Sequence, residues 1–416
     1  MNTSPVISAL IGVFSSLLLT VSLCAQGALN PPGPPAPTMK TLQQIEPRID
    51  LQNAPAEVVT TTNAAYHFII TQPGSYYLSA NLGVTKTNGI QINAEGVTLD
   101  LNGFEITRAS GSGGNGIEIA GAGNRASVRN GSLKGFAYGI RSITTGGTAQ
   151  GCAFRDLGVS GCTSYGIWAG EGAVVEACRT HDNSGTAGIW AEEGSILTNC
   201  TASGNTVSHG IFASTGSILT NCSAIRNTGS HGIFVGDGTT LTNCSAYANT
   251  SSASISAGIR TGSGCTITHC TAYNSSSEAT SLTPTTGMGF YVGSSSTIQD
   301  CSASLNRGDG INVGSDAVVR DNTSDSNGVG DGAGIHATGL DTRIEGNNVT
   351  DNDRGIDVDN TGNIIIKNSA SGNTTNWAVA AGNKCLVVLG VDAAAIVGDS
   401  GGTSPGSTNP NANYTY

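Results

Sequence analysis

Along most of the chain, apolar residues alternate with polar ones over runs too short for a helix, and each run stops at Gly, Asn, Ser or Asp. Alternation at period two marks a half-buried strand, and that punctuation marks turns. The runs are also copies of one another. Gly166-Ile167-Trp168-Ala169, Gly188-Ile189-Trp190-Ala191 and Gly210-Ile211-Phe212-Ala213 belong to an element that recurs with Gly at 89, 116, 139, 166, 188, 210, 232, 258, 289, 310, 334 and 355. A second element falls between them, as Leu197-Thr198-Asn199-Cys200, Leu219-Thr220-Asn221-Cys222 and Leu241-Thr242-Asn243-Cys244, with another Asn five residues after each Cys. A repeat containing several strands and turns excludes helical and leucine-rich arrays. Stacked in register, such units pair each strand with its equivalents at ~4.8 Å. The pattern predicts an all-β, single-stranded parallel solenoid of about twelve coils, a rod of roughly 60 Å.

The same alternation sorts side chains by face. Ile117, Ile167, Ile189, Ile211, Ile233 and Ile311 point inward, joined two positions later by Ala169, Ala191, Ala213, Val235 and Val313. The residue between them faces out, and in order these read Gln91, Glu118, Arg141, Trp168, Trp190, Phe212, Phe234, Arg260, Tyr291, Asn312, His336 and Asp357. Four successive coils therefore present aromatic rings. Aromatics contribute large contact area, so an outward run of them suggests a partner. Sugar rings, with apolar C–H faces, suit it. Trp168, Trp190, Phe212, Phe234 and Tyr291 are the candidate glycan contacts, with Arg260 placed to pair a carboxylate through its planar fork. His209 and His231, each just before the Gly, are expected to add pH-dependent contacts. Longer insertions near residues 249–257 and 274–288 are expected to overhang this face.

Composition narrows the partner. Only 11% of the 416 residues are charged, yet 38% are hydrophobic and recur at fixed spacing, which supplies a core that a disordered chain lacks. A net charge of −11 excludes a phosphate-binding, nucleic-acid role. Val6 to Leu23 is apolar and is followed by small residues at Ala25 and Gly27, so residues 1–27 read as a signal segment for a secreted, periplasmic or cell-surface protein. Residues 28–60 read as a Pro-rich spacer and lead-in, 61–380 as the solenoid with its N-terminal cap, and 381–416 as a C-terminal cap and flexible tail. No later run suits a transmembrane helix.

Cys178, Cys200, Cys222, Cys244, Cys270 and Cys301 hold one position in successive coils, continued by Asn322, Asn347 and Asn368. This predicts a turn ladder in which Asn satisfies backbone groups and Cys is a compact apolar filler that mostly stays a free thiol. Asp residues are uneven. Eleven of eighteen fall between Asp300 and Asp359, and Asp351, Asp353, Asp357 and Asp359 are the candidate Ca²⁺ ligands, an oxygen-rich set of the kind that ion takes. Solubilising acidic turns are the alternative explanation.

The Gly-Ile and Leu-x-Asn-Cys elements resemble the pectin-lyase-like right-handed parallel β-helix family over about residues 85 to 375. Thr98-Leu99-Asp100-Leu101-Asn102-Gly103 and Pro73-Gly74-Ser75-Tyr76-Tyr77-Leu78 further resemble exported bacterial members of unassigned function. The resemblance implies a right-handed coil and export, and it brings no catalytic residues with it. The Asp-Asp pair, Arg-Ile-Lys and Asp-Pro-His-Glu elements of related hydrolases and epimerases do not occur. The first expectation is an exported, non-catalytic glycan-binding or cell-envelope protein. A polysaccharide lyase, hydrolase or epimerase on an acidic glycan is the alternative, and a structural spacer or adhesin the third. No cofactor is required by the pattern, and Ca²⁺ is compatible with it.

Overall fold

The computed structural model describes residues 48–389 and 408–416, apart from 112, 121–122, 145–146, 252, 254, 278–285 and 329–331. The expected signal segment and most of the spacer lie outside the described residues. What is described is all strand and turn. No helix there is long and apolar enough to cross a membrane.

Two sheets wrap the core. One has fifteen strands in chain order, from Val59–Thr60 through Tyr66–Ile70 to Thr375–Val379, and carries the Gly-Ile elements. All its pairings are parallel except the first, where Val59–Thr60 runs antiparallel to Tyr66–Ile70 and covers the upper edge. The other sheet has twenty-eight strands, two per coil over most of its length. The coil count is thus about fourteen rather than twelve. Tyr66–Ile70 and Thr375–Val379 lack the Gly-Ile signature, with Phe68 opposite Ile90 and Trp377 opposite Ile356. Larger rings fill the inward position where the stack ends.

Register is strict because a one-residue slip would turn every Ile of the ladder into solvent. Ile167 pairs Ile189, Ile189 pairs Ile211 and Ile211 pairs Ile233, all fully buried. Leu197, Leu219 and Leu241 face them from the other sheet and are equally buried. The recurrent Gly has a steric cause. A Cβ on Gly166 would lie 2.4 Å from the Gly188 carbonyl oxygen, and one on Gly188 2.8 Å from that of Gly210. Coils approach too closely there for any side chain.

The turns explain the second element. Asn199, Asn221 and Asn243 have φ near 55°, the left-handed region that Asn tolerates better than most residues. The Asn five residues beyond each Cys forms a buried ladder: Asn183 Nδ2 donates to Asn205 Oδ1, Asn205 to Asn227, and Asn227 to Asn249, at 2.9 to 3.0 Å. The Cys column gives way to Asn as expected, with Asn322 Nδ2 donating to Asn347 and Asn347 to Asn368. Its last rung comes from the far C-terminus, where Asn413 Oδ1 accepts from Asn368 and Asn413–Thr415 adds a strand to the larger sheet. The ten described cysteines are all unbridged, and nine are buried.

Candidate functional site

The outer surface of the fifteen-stranded sheet carries the site. Every outward residue expected from alternation stands in one column: Arg141 opposite Trp168, Trp168 opposite Trp190, then Phe212, Phe234, Arg260, Tyr291, Asn312, His336 and Asp357. A second column runs beside it, made by the residues just before each Gly. Tyr138 pairs Tyr165, Tyr165 pairs Ala187, and below them come His209 and His231.

The two columns interlock. Tyr138 and Tyr165 stack at 5.5 Å, Tyr165 lies 4.8 Å from Trp168 and meets Trp190 edge-on, and Trp190 stacks on Phe212 at 3.8 Å. Phe212 meets Phe234 edge-on at 5.3 Å. Arg260 lies between Phe234, at 4.9 Å, and Tyr291, at 5.3 Å, and Arg141 over Tyr138 at 5.0 Å, so one guanidinium caps the Tyr138 end of the aromatic strip and the other is sandwiched within it. The indole N–H groups of Trp168 and Trp190 both donate to Glu192 Oε1, at 2.9 and 2.8 Å. The rings cover one another in part, yet Trp168, Trp190, Phe212, Phe234, Arg260 and Tyr291 all stay half-buried.

His209 and His231 stack in parallel at 5.6 Å. Burial, with the nearby Arg260 charge, pushes His209 down to about 4. Burial, then the His209 and Arg260 charges, pushes His231 down to about 3. Both are neutral across the physiological range, so the expected pH-dependent contacts near neutrality are not what the fold builds. His231 Nδ1 accepts from the Ala257 N–H at 3.1 Å, and its Nε2 lies 3.2 Å from Arg260 Nη1. The bases of the two insertions pair through Thr250–Ser251 and Ser276–Ser277. Whether they overhang the face rests on residues that include 252, 254 and 278–285, outside the described ones.

A different chemistry begins two coils beyond Tyr291. His336 Nδ1 is 2.9 Å from Asp309 Oδ2, and its Nε2 is 3.1 Å from Asp359 Oδ2 and 3.8 Å from Asp357 Oδ2. The Asp309 side chain is 1% exposed and is held by the Ala333 N–H at 2.7 Å and Asn312 Nδ2 at 2.8 Å. Arg354 Nη1 lies 2.7 Å from Asp357 Oδ2. Burial alone would lower the His336 pKa, but the hydrogen bond and charge of Asp309, with the charges of Asp357 and Asp359, outweigh it and raise it to about 9. Burial raises the Asp357 carboxyl above its ordinary range against the pull of His336 and Arg354.

Of the four expected metal ligands, Asp357 and Asp359 come together with His336, their ligand atoms within 4.8 Å of one another. Asp351 and Asp353 are not in that group. They sit in the turn before Arg354–Val358, Asp351 with φ 56°. That group offers one imidazole nitrogen and two carboxylates.

A right-handed β-helix family model matches residues 88–258 and 223–374. The chain belongs to the right-handed β-helix family. Among solved structures, this β-helix is similar to the A-module of mannuronan C-5 epimerase AlgE4 of Azotobacter vinelandii, at 17% identity and TM-score 0.50 over 75% of this chain and 89% of that one. It is similar also to the AlgE6 A-module of that organism, at 15% identity and TM-score 0.48 over 75% and 87%. A mannuronic acid-specific polysaccharide family 6 lyase from human gut microbiota gives 12% identity and TM-score 0.48 over 72% and 81%. At such identities the likeness is one of fold. No curated protein matches the β-helix by sequence.

Proposed function

We propose that the fifteen-stranded face of this exported β-helix binds an acidic polysaccharide laid along the solenoid axis. The observation that carries the proposal is the unbroken, half-buried strip from Tyr138 and Arg141 to Tyr291. Its rings recur at the coil rise of ~4.8 Å, a spacing that gives successive sugar units successive apolar contacts. Arg141 at its upper end and Arg260 between Phe234 and Tyr291 supply planar cations suited to carboxylates on the polymer.

One observation favours a catalytic version of this reading. The Asp309–His336 pair, with Asp357 and Asp359, lies in the same columns directly below the strip, where a bound polymer would pass. An imidazole oriented by a buried carboxylate is the form a general acid or base takes. Affinity electrophoresis of the chain through gels containing polymannuronate, polygalacturonate or a neutral glucan tests the binding proposal. Retardation by at least one polyuronate and none by the neutral glucan is expected; no retardation by any polymer overturns it. Appearance of unsaturated uronate, read by its ultraviolet absorption, or of new reducing ends would establish the catalytic version.

A further inference from the structure

We propose that His336, Asp357 and Asp359 bind one divalent first-row transition-metal ion, through the imidazole Nε2 and one oxygen of each carboxylate. The distances already suit an ion. Ligands held at about 2.0 to 2.2 Å from a tetrahedral centre sit roughly 3 to 4 Å apart. Here Nε2 lies 3.1 Å from Asp359 Oδ2 and 3.8 Å from Asp357 Oδ2.

Three further features point to the ion. Asp309, buried and itself held by Ala333 and Asn312, takes the Nδ1 side of the ring and aims Nε2 outward. Ligating histidines are oriented by such a carboxylate. Asp357 Oδ2 is buried and accepts no hydrogen bond, although Arg354 Nη1 approaches to 2.7 Å, and its side chain is only 7% exposed. An oxygen in that condition has coordination capacity left to use. Once an ion takes the place of the His336 Nε2 proton, the carboxylates of Asp309, Asp357 and Asp359 set against Arg354 leave two negative charges, which a divalent cation balances.

The ligand types select the metal. An imidazole nitrogen with two carboxylates suits Mn²⁺, Fe²⁺, Co²⁺ or Zn²⁺, whereas Ca²⁺ takes six to eight oxygens. Asp359, half exposed, leaves the fourth position open to solvent on the same face as the aromatic strip. The inference does not depend on glycan binding, and its test contains no glycan.

The full chain, stripped with EDTA, is titrated with Co²⁺ and followed by visible absorption and calorimetry. The expected result is one Co²⁺ per chain with weak ligand-field bands, no thiolate-to-cobalt band, and displacement by Zn²⁺ but not by equimolar Ca²⁺. Asp359→Asn, at a half-exposed position, should lower affinity at least tenfold with an unchanged circular dichroism spectrum. Asp309→Asn should weaken binding about 10- to 100-fold through the ring's orientation alone. His336→Gln should abolish it, and should that variant not fold, Asp359→Asn decides. Absence of binding by the wild type, unchanged affinity in Asp359→Asn, a thiolate band, or displacement by Ca²⁺ overturns the proposal.

Discussion

Asn227→Ala should destabilise the β-helix far more than its modest size suggests. Asn227 is 2% exposed and makes four side-chain bonds. Its Oδ1 accepts from the Asn205 backbone N–H at 3.1 Å and from Asn205 Nδ2 at 2.9 Å. Its Nδ2 donates to the Ala202 carbonyl at 2.9 Å and to Asn249 Oδ1 at 3.0 Å. Truncation leaves partners on the two adjacent coils facing an apolar methyl. Asn205 Nδ2 keeps Thr180 O at 3.2 Å, Asn249 Oδ1 keeps the Asn227 N–H at 3.0 Å, and the Ala202 carbonyl stays in the parallel ladder opposite Ala224, so the group stripped of its partner is the Asn205 N–H. A buried group left unpaired costs about 1 to 3 kcal/mol, so the substitution should cost roughly 1 to 3 kcal/mol. The part-buried Ser223–Ser245 hydroxyl pair, at 2.9 Å on a neighbouring turn, is the control, and Ser223→Ala should cost under about 1 kcal/mol because water replaces the bond. Guanidinium denaturation followed by circular dichroism measures both. A loss below about 1 kcal/mol for Asn227→Ala would show that the ladder is bridged by water or dispensable, and would refute the reasoning.

Other consequences follow from the same geometry. Glu192 holds both indole N–H groups, so Glu192→Ala should weaken glycan binding several-fold by freeing the Trp168 and Trp190 rings, and Glu192→Gln, which still accepts, should restore most of it; equal affinity in all three forms would sink that role. His209 and His231 are held at about 4 and about 3, against roughly 6.5 in an unfolded chain, so the unfolded state takes up protons first as pH falls. Their contribution is complete above pH ~6.5 and is lost toward pH ~4, and Tm should fall across that window less steeply in His209→Phe than in wild type. An identical slope would assign the acid sensitivity elsewhere. Thiol reagents should label Cys385 in the native protein and the nine buried cysteines only after denaturation, without reductant; two or fewer reactive thiols in denaturant would contradict the unbridged ladder.

The parts of this molecule that repeat were legible in its sequence, because a solenoid converts periodicity into position. Fixing the inward Ile fixed the outward residue, and each of the twelve outward positions stands in one column. The end coils were missed because Phe68 and Trp377 replace the signature Ile where stacking stops. More instructive is the column preceding each Gly. It was noticed only at His209 and His231, yet it also holds Tyr138, Tyr165, Asp309 and Arg354, which lengthen the aromatic strip and build the His336 cluster. The residue before each Gly comes beside the outward residue three positions on, as Tyr165 does beside Trp168 and Arg354 beside Asp357, which alternation alone does not convey. Glu192 was missed for a related reason, since it lies past the strand end and reaches back to two indoles. Density of Asp along the chain did not convey which carboxylates the fold gathers, because Asp351 and Asp353 occupy a turn while Asp357 and Asp359 come beside His336.

The most direct test of the central claim is the affinity of wild type and of the Trp168→Ala, Trp190→Ala double variant for a polyuronate, measured by titration calorimetry. The rings face outward from an Ile ladder that the substitutions leave intact, so circular dichroism should not change. Losing the two indoles should weaken binding at least about tenfold, equivalent to about 1.4 kcal/mol. Equal affinity in the two proteins, or no polyuronate binding by wild type, would contradict the account.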